Sequence, residues 1–205
     1  VLRFPMSVFT PVPAHGFSGR VATGFLTGTG SRYYPDYSIE FGAPVHAVVE
    51  RGRLLRFEGA AADVALAEAQ YDRVAGAFGI DRDAVHSWHA GIHPGCGYYW
   101  DMRENYERWG GAAFGNPRIL HFHTCGSYAP GEISWNVIDP TIEVDGVACW
   151  ERGVLRAELL PGGPEILERY PDVAALFAAP DPEIGLVPPW QIAPAGGLPG
   201  RGAEA

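Results

Sequence analysis

The chain has no lysine; all fifteen of its cations are arginine, against 24 acidic residues and a net charge of −9. It contains no basic run, which excludes the electrostatic footprint of a nucleic-acid binder and of a protein that docks on anionic membranes. Methionine is scarce, and no apolar stretch approaches the roughly 20 residues needed to cross a bilayer as a helix. The three cysteines, Cys96, Cys125 and Cys149, are an odd number at irregular spacing, which speaks against a secreted disulfide framework. A cytoplasmic location is the default expectation. With 205 residues, 47% of them hydrophobic, there is material for one well-buried core.

Glycine and proline punctuate what remains. From Pro44 to Glu58 the apolar positions Val45, Ala47 and Val49, then Leu54, Leu55 and Phe57, flank Glu50-Arg-Gly-Arg53, which predicts a β-hairpin. Val64, Ala67, Tyr71, Val74, Ala75 and Phe78 recur at helical spacing, with Gly79 as a stop. Strands are expected at Val1 to Phe4, Ser7 to Thr10, Ala84 to Ile92, Arg118 to Cys125 and Ile133 to Ile138, and further hairpin turns at Asp145-Gly146 and Arg152-Gly153. Pro164 to Phe177 has helical spacing interrupted at Pro171. Beyond it the chain is dense in Pro and Gly, and should be extended or poorly ordered, with Trp190 free to dock. The expected fold is therefore α+β: a mixed, largely antiparallel β-sheet or barrel-like core with one or two packed helices. It forms a single domain over residues 1–179, followed by a Pro/Gly-rich tail over 180–205.

Five of the seven histidines fall in two short runs, His86-Ser-Trp-His89-Ala-Gly-Ile-His93-Pro-Gly-Cys96 and His121-Phe-His123-Thr-Cys125. Imidazole and thiolate hold late first-row metals, so two dense runs predict halves of one site. Side chains alternate along a strand, so His121, His123 and Cys125 share a face, as do Ser87, His89 and His93 if that strand runs on to Ile92. The simplest site takes His89 or His93 from one strand and His121 with His123 from its neighbour. Ser134 and Asn136 point together beside them. The competing explanation is hydrogen-bonded histidines in a polar core; His15 and His46 are expected to be structural or exposed.

From about Val45 to Glu158 the chain resembles the C-terminal part of aminopeptidase T-type metallopeptidases and of 2,5-dihydroxypyridine dioxygenases. The matching pieces are Pro44-Val-His-Ala-Val-Val-Glu-Arg-Gly-Arg53, Ala90-Gly-Ile-His-Pro94, Leu120 to Gly126, and Ile133-Ser-Trp-Asn-Val137 followed by Thr141-Ile-Glu-Val-Asp-Gly146. Ser7-Val-Phe-Thr-Pro11 would match the strand that opens the family's metal domain. The resemblance implies a metal site, but this chain has Ser134-Trp-Asn136 where the family usually carries a His-x-Asp pair, and Met6-Ser7 where the aminopeptidases carry Glu. Carboxylates that would bridge two dications are missing.

A mononuclear site of mainly neutral imidazoles follows, with His89, His121 and His123 as ligands, His93 or His86 as replacements, and one divalent ion of iron, manganese or zinc. The leading expectation is a dioxygenase-like enzyme acting on a small polar or aromatic metabolite. Metal-dependent, aminopeptidase-like hydrolysis and a non-catalytic binding protein of the same superfamily are the alternatives. Glu132 is the candidate acid or base, although Pro-Gly-Glu also reads as a solvated turn. Ser134 belongs with it, and Asn136 is a candidate hydrogen-bond donor. Arg103 and Arg108, among the aromatics of Tyr98 to Trp109, could present a guanidinium to a carboxylate-bearing substrate. A cysteine nucleophile at Cys125 or Cys96 is the weaker enzymatic route. The edge strand after Asp145-Gly146 leaves room for a homodimer.

Overall fold

The computed structural model describes residues 11–28 and 37–186. The expected strands at Val1 to Phe4 and Ser7 to Thr10, the Trp190 segment and the tail from 187 onward lie outside the described residues. Seven strands form one sheet: β1 (Val12–Pro13), β2 (Gly19–Thr27), β3 (Ile39–Glu50), β4 (Arg53–Glu58), β5 (Val85–Ala90), β6 (Ile119–Cys125) and β7 (Glu132–Ile138). Their spatial order is β1-β5-β6-β7-β2-β3-β4, and every neighbouring pair is antiparallel. A second sheet, in the order β10-β9-β8, is built from β8 (Ile142–Val144), β9 (Val147–Glu151) and β10 (Val154–Leu155).

The hairpin turns form where their dipeptides demand them. Arg51-Gly52, Asp145-Gly146 and Arg152-Gly153 all have positive φ at both central positions, the geometry that matches the twist of a two-residue hairpin. Gly52 has a second constraint, since a Cβ there would meet the Ala14 carbonyl oxygen at 2.8 Å.

Two features differ from expectation. A barrel-like core is not what forms, because the sheet remains open. Its far strands touch at one corner, through the Arg53–Ala84 bridge and the hydrogen bond from Leu54 N to Asp83 O at 2.8 Å, without a continuous ladder. Four α-helices, rather than one or two, accompany it among the described residues: α1 (Ala61–Phe78), α2 (Tyr106–Ala113), α3 (Gly163–Arg169) and α4 (Pro171–Ala178).

Helix α1 lies on one face of the sheet through Ala67, Tyr71, Val74 and Ala75 and stops at Gly79, whose φ is 63°. Leu120, Phe122 and Thr124 of β6, with Ile133 and Trp135 of β7, point into this core. The Tyr71 hydroxyl meets the Thr124 hydroxyl there. On the opposite face Phe25, Trp109, Ile119 and Met102 form a smaller core under α2. Residues 180–186 belong to it: Ile184 is buried, bridges to Tyr98 and accepts the Trp109 indole N–H at 2.7 Å. The beginning of the Pro/Gly-rich segment is thus extended and packed. No described helix is long and apolar enough to cross a membrane.

Candidate metal centre

Ladder register puts the two histidine runs side by side. His89 on β5 stands directly opposite His121 on β6, and Ser87 opposite His123. On the other flank of β6, His121 faces Asn136, His123 faces Ser134 and Cys125 faces Glu132. Because Leu120, Phe122 and Thr124 are committed to the α1 core, alternation drives His121 and His123 to the α2 side of the sheet.

There the three rings of His89, His121 and His123 gather, each offering a ligand nitrogen within 4.8 Å of the others. The Nε2 atoms of His121 and His123 are 3.1 Å apart. Two nitrogens bound to one ion at about 2.0–2.1 Å are separated by roughly 2.9–3.4 Å for angles between right and tetrahedral, so this spacing, which is also that of a hydrogen bond between the rings, fits a shared ion. The rings of His89 and His121 are stacked, with centroids 4.9 Å apart and planes 5° from parallel. Phe114, just beyond α2, packs on His121 at 4.2 Å.

Burial under Phe114 shapes the electrostatics. His121 is only 8% exposed, and its pKa is held well below the ordinary histidine range by that burial, reinforced by His123 and His89. A neutral imidazole is what a dication requires of a ligand. Glu132, the candidate acid or base, is not the solvated turn residue of the alternative reading but is buried at the start of β7, and its Oε1 accepts from Ser134 Oγ at 2.7 Å. That same oxygen is 4.0 Å from Nδ1 of His123.

The remaining sequence candidates fall elsewhere. His93 leaves the sheet, because β5 ends at Ala90 and Gly91 turns against the backbone of Asn116; a Cβ on Gly91 would lie 2.0 Å from the Asn116 carbonyl oxygen. His93 Nδ1 then accepts from Gly95 N at 3.1 Å within its own turn. It lines an open cleft of about 410 Å³ with Gly95, Cys96, Gly97, Gly111 and Ala112, which His89, His121 and His123 do not line. His86 points away, its Nε2 bonded to the Cys125 carbonyl at 2.8 Å.

Burial raises the Cys96 thiol and pushes that of Cys125 up to about 11, so neither offers an activated thiolate. Arg103 is engaged by Glu40 through Nε and Nη2, and Arg108 donates to the Tyr98 hydroxyl at 3.0 Å. Phe114 was not legible as part of the site, since it follows no histidine spacing and only the packing of the segment after α2 brings it there.

Comparison with protein-family models, with curated proteins and with solved structures finds no match to this chain. The case for function therefore rests on the triad's own chemistry.

Proposed function

We propose that the chain is a mononuclear metal-dependent enzyme in which His89, His121 and His123 hold one divalent ion of iron, manganese or zinc. The single observation behind this reading is the 3.1 Å approach of the two Nε2 atoms on one strand, with His89 opposite. A hydrogen bond between the two Nε2 atoms would pair those two rings alone, whereas the third ring of His89 gathers at the same point. When bound, the ion supplies positive charge and coordination positions that three imidazoles leave open. Neutral ligands do not offset that charge, which favours a small substrate presenting anionic or paired oxygens.

Around the triad, Phe114 closes one side and excludes water from His121. Ser134 holds the Glu132 carboxylate beside His123, where it can orient that ring or take a substrate proton. The substrate is a small polar or aromatic metabolite and the chemistry dioxygenase-like, in keeping with the resemblance to dihydroxypyridine dioxygenases. The buried Glu132 also suits a second reading, metal-dependent hydrolysis of the aminopeptidase-like kind.

Elemental analysis after reconstitution with iron, manganese and zinc tests the proposal. One metal equivalent per chain is expected, lost in His121→Ala and His123→Ala and kept in His15→Ala. A wild-type protein that retains none of the three would sink it. Oxygen uptake by the iron form separates the oxygenase from a zinc form that hydrolyses without oxygen.

A further inference from the structure

Two buried polar atoms without partners belong to residues that stand directly opposite each other across the β6–β7 ladder. One is Nδ1 of His121 and the other is Oδ1 of Asn136, residues directly opposite in register. Asn136 is 1% exposed and its amide orientation is dictated by its surroundings. Nδ2 donates to Thr27 Oγ1 at 3.0 Å and lies 3.4 Å from the carbonyl oxygens of Phe25 and Ser134, groups of which the two carbonyls can only accept. The amide nitrogen therefore belongs on that side, and the oxygen is left as an unused acceptor. A neutral imidazole has one N–H and one lone pair. If His121 carries its proton on Nδ1, that donor needs an acceptor, and Asn136 Oδ1 is the unused one opposite.

We infer that Asn136 is a positioning residue that accepts the Nδ1 proton of His121 across one water, and so holds the ring in the tautomer whose Nε2 lone pair points at His89 and His123. The inference deepens the metal reading and rests on it for its purpose, though not for the tautomer itself. Glu132 stands in the corresponding place beside Nδ1 of His123. The two ring nitrogens that face away from the triad thus have one amide oxygen and one carboxylate near them, as ligating histidines do in general. Asn136 is assigned as a hydrogen-bond acceptor toward the site; its donor capacity is spent on β2.

The test combines ¹⁵N-detected histidine NMR on the metal-free protein with zinc titration of wild type, Asn136→Leu and Asn136→Asp. The expected result is His121 protonated on Nδ1 in wild type and in Asn136→Asp, which keeps an acceptor. Asn136→Leu should shift the proton toward Nε2 and weaken zinc binding by roughly 10–100-fold, whereas Asn136→Asp should bind zinc at least about as well as wild type. A proton on Nε2 in wild type overturns the inference, and so does unchanged zinc affinity in Asn136→Leu. Should Asn136→Leu not fold, the wild-type tautomer and the Asp variant still decide. If wild type binds none of zinc, iron and manganese yet shows the Nδ1 proton and loses it in Asn136→Leu, the metal reading falls while the role of Asn136 stands.

Discussion

His121 and His123 sit two residues apart on β6 and bring their Nε2 atoms to 3.1 Å, closer than strand geometry requires of neighbours on one face. Cα atoms at that spacing are about 7 Å apart, so the rings must lean toward a common point. What occupies that point governs most of what can be measured.

A metal bound there should stabilise the fold. Zinc at about 100 times its dissociation constant adds ~2.7 kcal/mol to the unfolding free energy of the native state. Calorimetry should show the midpoint rising with zinc in wild type and staying flat in His123→Ala.

Acid should destabilise the metal-free protein through His121. Its folded pKa lies below the unfolded value near 6.5, because burial and then His123 and His89 oppose the charge. Above that unfolded value both states are neutral and stability is complete. As pH falls below it the unfolded chain takes up a proton that folded His121 refuses, and stability drops by up to ~1.4 kcal/mol per pH unit. Denaturant midpoints across pH 7.5 to 5 (roughly the window of this titration) should show the decline, reduced in His121→Gln.

Replacing Glu132 by Gln removes the carboxylate beside His123 while keeping an acceptor for Ser134 Oγ. Metal affinity should fall by roughly 10–100-fold with little change in the metal-free unfolding midpoint. Equal affinity would mean that Glu132 serves the fold alone.

Trp109 is fully buried, packs edge-on against Phe25 and Phe114, and anchors Ile184. Trp109→Ala should cost about 3–5 kcal/mol. It should also expose residues 180–186 to proteolysis before the rest of the chain, and a cleavage pattern unchanged from wild type would contradict that anchoring.

Much of the site was readable in advance because strand periodicity is a local property. His121 and His123 had to share a face, and so did Ser134 and Asn136, because side chains alternate along a strand. The triad's third member was not readable. His89 and His93 have the same parity, and choosing between them depends on where β5 ends, which is set by the close approach of Gly91 to Asn116 twenty-five residues on. The burial of Glu132 was not readable for a similar reason: Pro-Gly marks a turn and leaves a solvated reading open, but β7 begins immediately after it, opposite Cys125, and the side chain is buried.

By itself the sequence determined the hairpins, the α1 face and the alternation that aims two histidines the same way, since these follow from backbone sterics and period. Only the tertiary structure decided that the sheet stays open, that four helices accompany it among the described residues, and that His89 rather than His93 meets the pair on β6. Those outcomes depend on contacts between segments far apart in the chain, where packing and ladder register, not local preference, set which side chains become neighbours.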